Sequence, residues 1–330
     1  DDYPGIFYRQ AGAAVLGIIV AIVICLVETN LLKLIGWITY IVSQILLFIV
    51  PFDGYSMADK WGADSWMKLP VIGNFQPSEL SKIGLIIIAA YIFQAMGEKK
   101  VSMIRGFVYL ALLYAPPMGM ILINQKDFGT GMVIVFSFIF ILFVWGMKYR
   151  YFFLAMSGGV IMIPVIWNFY FSEMQKKRIL SLLFSGSDPS AEYNLIQSKM
   201  AIASGGLTGN HTGNIVYVPV KEADFIFVAV SEHLGFIGTT AVILLAFLFL
   251  TRCLYVAANS SQRAYSYIVI GMTAGLAFHF IENMGMCVGL LPITGIPLPF
   301  ISLGGTALVV SFIGVGLIMN ISMNRNLIQK

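Results

Sequence analysis

Charge is scarce in this chain. Only 11% of its 330 residues are Asp, Glu, Lys or Arg, against 58% hydrophobic, and its mean hydropathy is +0.86. A soluble core of this length cannot hide so much apolar surface, so a water-soluble protein is excluded, and there is no room for a second soluble domain. Cysteine is rare too: Cys25, Cys253 and Cys287 lie within or beside apolar runs, lack metal-ligand spacing, and read as apolar filler. Of three histidines, His211 stands alone in a Gly-rich polar stretch and offers no metal centre. The formal charge of +4 does not point to nucleic acid, because the basic residues sit mostly in connections between apolar runs, where they set membrane topology.

What fills the chain is nine apolar runs: Ala11–Val27, Ile35–Val50, Leu80–Met96, Ile104–Ile123, Gly129–Trp145, Tyr151–Phe171, Phe225–Thr251, Ala264–Leu290 and Gly305–Ile321. They are continuous rather than alternating, which suits membrane helices and not barrel strands. The expected fold is all-α, a polytopic transmembrane bundle forming a single integral membrane domain over residues 1–330. A long loop over residues 172–224 carries the candidate active site.

Loop charge sets the expected orientation. One set of alternate connections carries Lys33, Lys99, Lys100, Arg105, Lys148, Arg150, Arg252, Arg263, Arg325 and Lys330; the other carries only Arg9, Lys60, Lys68 and Lys126. That bias of ten against four places the first set in the cytoplasm. The N-terminus and the segment from Ser172 to Ala223 are then outside. A chain that starts outside at Asp1, without a signal peptide, reads as one whose first helix is not included, so ten helices are expected in the complete protein.

Ionisable groups inside such runs are costly and therefore informative. Glu79 and Lys82 stand three residues apart at a helix start, with Pro77 and Ser78 before them and Ser78 as the expected N-cap. They read either as an ion pair anchoring the helix end or as a cation held in a cavity for an anionic head group. Glu232 with His233, and His279 with Glu282 and Asn283, read either as buried polar clusters that lock packing or as proton-relay groups.

The segment from Ser172 to Ala223 mixes Gln175-Lys176-Lys177-Arg178, Tyr193 through Gln197-Ser198, and Ala203-Ser204-Gly205-Gly206-Leu207-Thr208-Gly209, and ends in Lys221-Glu222-Ala223-Asp224. Cations, amides and hydroxyls in that mixture suit a phosphate- and sugar-bearing ligand. The last outer connection, Leu291 to Gly305, holds three prolines among apolar residues. Helix cannot persist there, and irregular backbone at membrane depth must be buried in protein or line a cavity, so a loop folded back into the bundle is expected.

Gln76-Pro77-Ser78-Glu79, Asp127-Phe128-Gly129-Thr130, Gln197-Ser198 with the Gly run, Asp224-Phe225-Ile226-Phe227 and Leu291-Pro292 through Gly304-Gly305 together resemble the SEDS family, the RodA, FtsW and SpoVE type, over nearly the whole chain. The Thr294-Gly295-Ile296-Pro297 form resembles the RodA branch. The resemblance implies a ten-helix bacterial enzyme that polymerises peptidoglycan glycan strands from lipid II beside a class B penicillin-binding transpeptidase. It matches Asp224 to the family's essential carboxylate, the base that deprotonates the attacking 4-hydroxyl. Glu79, Lys82, Arg178, Gln197, Ser198, Lys221 and Ser302 are the candidate substrate-binding residues, with Lys82 and Arg178 taking the diphosphate and Glu79 orienting Lys82. No cofactor is assigned, although a diphosphate leaving group admits a divalent cation.

The chain departs from the family pattern at Ala223, usually Thr; at His233, often Glu; at Leu303, Thr306 and Ala307, commonly Tyr and two Ser; and near Trp66, whose usual Arg neighbour is absent. Two other classes fit the composition. A lipid-linked precursor flippase would need a path to the cytoplasmic face and paired interrupted helices, and a non-catalytic scaffold would tolerate loss of Asp224.

Overall fold

The computed structural model describes residues 3–52, 65–69, 73–165 and 189–324, with isolated positions between 167 and 180. Helices dominate: α1 (Tyr3–Leu26), α2 (Leu32–Ile49), α3 (Pro77–Gly97), α4 (Met103–Gly119), α5 (Phe128–Trp145), α6 (Tyr149–Val165), α7 (Pro189–Ser204), α8 (Ile226–Ala258), α9 (Arg263–Val288) and α10 (Gly305–Met323). A short antiparallel hairpin, β1 (Met67–Leu69) with β2 (Gly73–Phe75), pairs Met67 with Phe75. Among the described residues, eight helices are long and apolar enough to cross a membrane. Among the described residues, the sixth apolar run holds α6, Tyr149–Val165.

The chain divides into two compact units. One comprises Asp1–Gly146, Leu250–Leu276 and Gly304–Lys330; the other comprises Met147–Phe249 and Ala277–Leu303.

In the first unit, Leu47, Leu85, Ile88, Leu113, Ile121 and Ile134, drawn from α2 to α5, form the apolar core. Helix α3 begins at Pro77, which needs no partner for its missing N–H, and Gln76 rather than Ser78 holds the N-cap position. Ser78 is instead buried one residue inside the helix, and its hydroxyl has no hydrogen-bond partner among the described residues. The pair Pro116-Pro117 withdraws two donors from α4, and the chain passes through a wider π turn at Met120–Asn124. Asp127 then caps α5 by accepting hydrogen bonds from the Thr130 N–H at 3.0 Å and hydroxyl at 2.8 Å. The end of α1 is closed from α10: the buried Asn320 amide donates to the carbonyls of Ile24 at 2.9 Å and Val27 at 2.6 Å.

In the second unit, α8 is broken. Gly235 has φ 64° and ψ −162°, so the helix stops and restarts there. The amides freed by the break donate to the Gly run: Phe236 N–H to Gly206 O at 2.9 Å and Ile237 N–H to Leu207 O at 3.1 Å. The run answers with Asn210 N–H, which donates to Glu232 O at 2.7 Å. Backbone meets backbone so closely that a Cβ on Gly205 would lie 2.0 Å from Ser231 O, and one on Gly235 would lie 2.5 Å from Gly209 N. Segment 205–210 therefore completes α8, where the hydropathy pattern alone suggests one continuous run.

Substituting Gly205→Ala must push these two backbones apart, with an expected cost of about 1–3 kcal/mol or more. The detergent-solubilised variant should melt several degrees below wild type, and an unchanged melting temperature would contradict the close docking.

Candidate active site

Asp224 lies two residues before α8, and its surroundings belong to the second unit. The three carbonyls around it are each fastened. Glu222 O accepts from Leu303 N–H at 2.9 Å, Ala223 O from the Ser302 hydroxyl at 2.7 Å, and Asp224 O from the Asn283 amide at 2.8 Å. These donors come from the irregular stretch before α10 and from the last turns of α9.

That stretch is itself tied down. Asn283 donates to Ile296 O at 2.8 Å, the His279 ring hydrogen-bonds Pro297 O at 3.1 Å, and the Thr294 hydroxyl donates to the Glu282 carboxylate. Ser302 accepts from Leu298 N–H at 2.8 Å, so its hydroxyl both donates and accepts within the backbone. Phe300 packs edge-on against Phe249. The loop is thus folded back and partly buried, as its apolar proline-rich composition predicts, and the polar group at the end of α9 acts as its fastening. Gly295 has φ 76°, and a Cβ there would sit 3.3 Å from Asp224 Oδ2, so glycine serves both the backbone conformation and the room beside the carboxylate.

Lys221, three residues before Asp224, forms an ion pair with the fully buried Glu232 and donates to Val216 O at 3.1 Å. The other oxygen of Glu232 accepts from Val216 N–H at 2.7 Å. His233, next to it, points to the exposed side, and the exposed His211 meets the Thr208 hydroxyl at 3.2 Å.

A separate polar centre lies in the first unit. Glu79 and Lys82 are both buried and paired at 2.7 Å, one helical turn apart on α3. The Gln76 amide donates to Asp127 Oδ2 at 2.7 Å, joining the start of α3 to the cap of α5. Burial pushes the Asp127 carboxyl above the usual carboxylate range; the hydrogen bonds from Thr130 oppose the rise, Glu79 adds to it and Lys82 counters it.

The sequence-derived residues therefore fall into groups. Glu79 and Lys82 are together on α3; Lys221, Asp224 and Ser302 are gathered around the start of α8. Gln197 and Ser198 lie on α7, half-buried and buried respectively, and that helix packs Leu195 and Lys199 against Gly289 at the end of α9. Arg178 lies outside the described residues. Reading residues 172–224 as loop missed α7, although Pro189 at its first position and Glu192 in its first turn are helix-start signals. Also missed were the joint roles of Gln76 with Asp127 and of Lys221 with Glu232, because partners 51 and 11 residues apart leave no local pattern.

Comparison with known proteins places this geometry in a family. The profile of the FtsW/RodA/SpoVE cell cycle proteins matches residues 1–327. The chain is 31% identical over 333 residues to the peptidoglycan glycosyltransferase MrdB of Escherichia coli K12, covering 99% of this chain and 88% of that protein. It is 32% identical over 289 residues to the stage V sporulation protein E of Bacillus subtilis, covering 86% and 77%. Among solved structures it resembles one described as structural coordination of polymerization and crosslinking by a peptidoglycan synthase complex, with TM-score 0.82, 27% identity and coverage of 98% of this chain and 90% of that one. It also resembles the rod shape determining protein RodA of Thermus thermophilus, with TM-score 0.71, 25% identity and coverage of 98% and 89%. The chain is a multi-pass membrane protein of the FtsW/RodA/SpoVE family.

Proposed function

We propose that this protein is a peptidoglycan glycosyltransferase that lengthens glycan strands from lipid II, with Asp224 as general base. The 4-hydroxyl of one sugar attacks the anomeric carbon of another, Asp224 takes the hydroxyl proton, and the bond to the polyprenyl diphosphate breaks with inversion. The diphosphate leaves as an anion, so no second protein acid is required. The observation that carries this reading is the fastening of the Glu222, Ala223 and Asp224 carbonyls by Leu303, Ser302 and Asn283. A base held by its backbone on three successive residues is pre-organised, which is what a proton transfer at a fixed distance needs.

Lys82, oriented by Glu79, and Arg178 are each assigned a role as a cation for the diphosphate, and Gln197 and Ser198 bind polar groups of the substrate. The loop-charge bias supports a position for Asp224 on the outer face of the bacterial plasma membrane, where lipid-linked disaccharide is polymerised, with a class B penicillin-binding transpeptidase as the partner.

In detergent, with that transpeptidase and lipid II, Asp224→Asn is expected to cut polymer formation at least about 100-fold, as sized on gels, while the fold is retained. Polymer at near wild-type yield would overturn the assignment. Glu79→Gln alone should cost about 3–5 kcal/mol of stability by removing the carboxylate that pairs with the buried Lys82 ammonium at 2.7 Å. The double variant Glu79→Gln/Lys82→Met should recover the melting temperature yet polymerise at least about tenfold more slowly, because its diphosphate cation is gone. Full activity in that double variant would remove Lys82 from the machinery.

A further inference from the structure

Four residues before the carboxylate, Val220 has φ 54°. A β-branched side chain in the left-handed region is strained, and such strain persists only where the surroundings over-determine it, characteristically at functional sites. The Val220 carbonyl accepts from Ala223 N–H at 3.2 Å and Phe225 N–H at 3.4 Å, the amides on either side of Asp224. Whatever holds Val220 in this conformation therefore also sets the backbone that presents the carboxylate.

What holds it is a closed ring. Glu232, fully buried on the first part of α8, grips both ends of segment 216–221: one carboxylate oxygen accepts Val216 N–H and the other pairs with the Lys221 ammonium. Lys221 closes the ring by donating to Val216 O. Its side chain is 12% exposed and its ammonium is directed at these two acceptors. Glu232 itself is fixed from the other side, since its carbonyl receives Asn210 N–H and its carboxylate lies 3.5 Å from the Ser204 hydroxyl.

We propose that Lys221 and Glu232 are positioning residues for the glycosyl transfer: their buried ion pair clamps the strained turn at Val220 and so fixes Asp224, while Lys221 makes no contact with substrate. This inference rests on Asp224 being the base. It revises the substrate-binding role that sequence alone suggests for Lys221. The clamp works because a strained turn left alone relaxes, and relaxation turns the Val220 carbonyl away from the two amides that bracket Asp224. A glycine at position 220 adopts the same conformation without strain and has no need of the clamp.

That difference supplies a test in which a purely structural role and a catalytic one diverge. The full-length protein with its transpeptidase is assayed on lipid II as wild type, as Lys221→Met/Glu232→Gln, and as the same double variant carrying Val220→Gly. The neutral double variant leaves no lone buried charge. It should fall at least about tenfold in kcat with KM within about threefold of wild type, and Val220→Gly should restore kcat to within about threefold. No restoration by Val220→Gly, or a tenfold rise in KM at unchanged kcat, overturns the proposal. If the double variant does not accumulate as folded protein, Glu232→Asp, which shortens the clamp by one methylene, is measured with and without Val220→Gly against the same two criteria. Asp224→Asn runs alongside. If it still polymerises, the reading of Asp224 has failed; if it is inactive while the clamp variants turn over normally, only the clamp has failed.

Discussion

A peptide amide released from a helix needs another acceptor, and this constraint governs the break in α8. Once Gly235 leaves helical geometry, the Phe236 and Ile237 amides need acceptors, and the carbonyls of Gly206 and Leu207 provide them. Only residues without side chains let two backbones approach so closely, which explains Gly205 and Gly209, while Gly206 serves the left-handed backbone there with φ 52°. The docking has a second effect: it brings the segment after α7 against the part of α8 that carries Glu232, and Glu232 organises the turn before Asp224. A hydrogen-bonding problem at one glycine thus extends to the carboxylate that the proposed chemistry needs.

The loop before α10 solves the same problem differently. Its prolines donate nothing, and its carbonyls are taken up by side chains at the end of α9: Asn283 serves Ile296, and His279 serves Pro297. Asn283 simultaneously serves Asp224, so one fully buried amide joins two irregular segments that would otherwise be independent. Ser302 repeats the arrangement with a hydroxyl, linking Leu298 to Ala223. Short polar side chains at the ends of helices do here what strands of a sheet do in soluble enzymes, holding a loop in one place.

Much of the architecture was legible in the sequence because hydropathy acts locally and strongly. The long apolar runs, the irregular proline-rich loop and the pairing of Glu79 with Lys82 all follow from composition and helical spacing. The position of Asp224 at the edge of α8 was legible for the same reason, the end of a polar segment meeting the start of an apolar one. Helix α7 was not, since a helix of mixed polarity has no hydropathy signature to compete with its surroundings. Ser78 misled because serine is a good cap in general, while Pro77 at the first helical position moves the cap to Gln76. The break in α8 was hidden because glycine is tolerated within membrane helices, and only its contact with a distant Gly run shows that the helix stops.

Asn320 closes the end of α1 from a position 296 residues later in the chain. During synthesis at about 5–20 residues per second, the carbonyls of Ile24 and Val27 must wait on the order of 15–60 s for that amide to emerge. Until then these carbonyls at the end of α1 must find other hydrogen-bond donors. Completion of the α1 terminus is therefore a late event, which waits until α10 has been made.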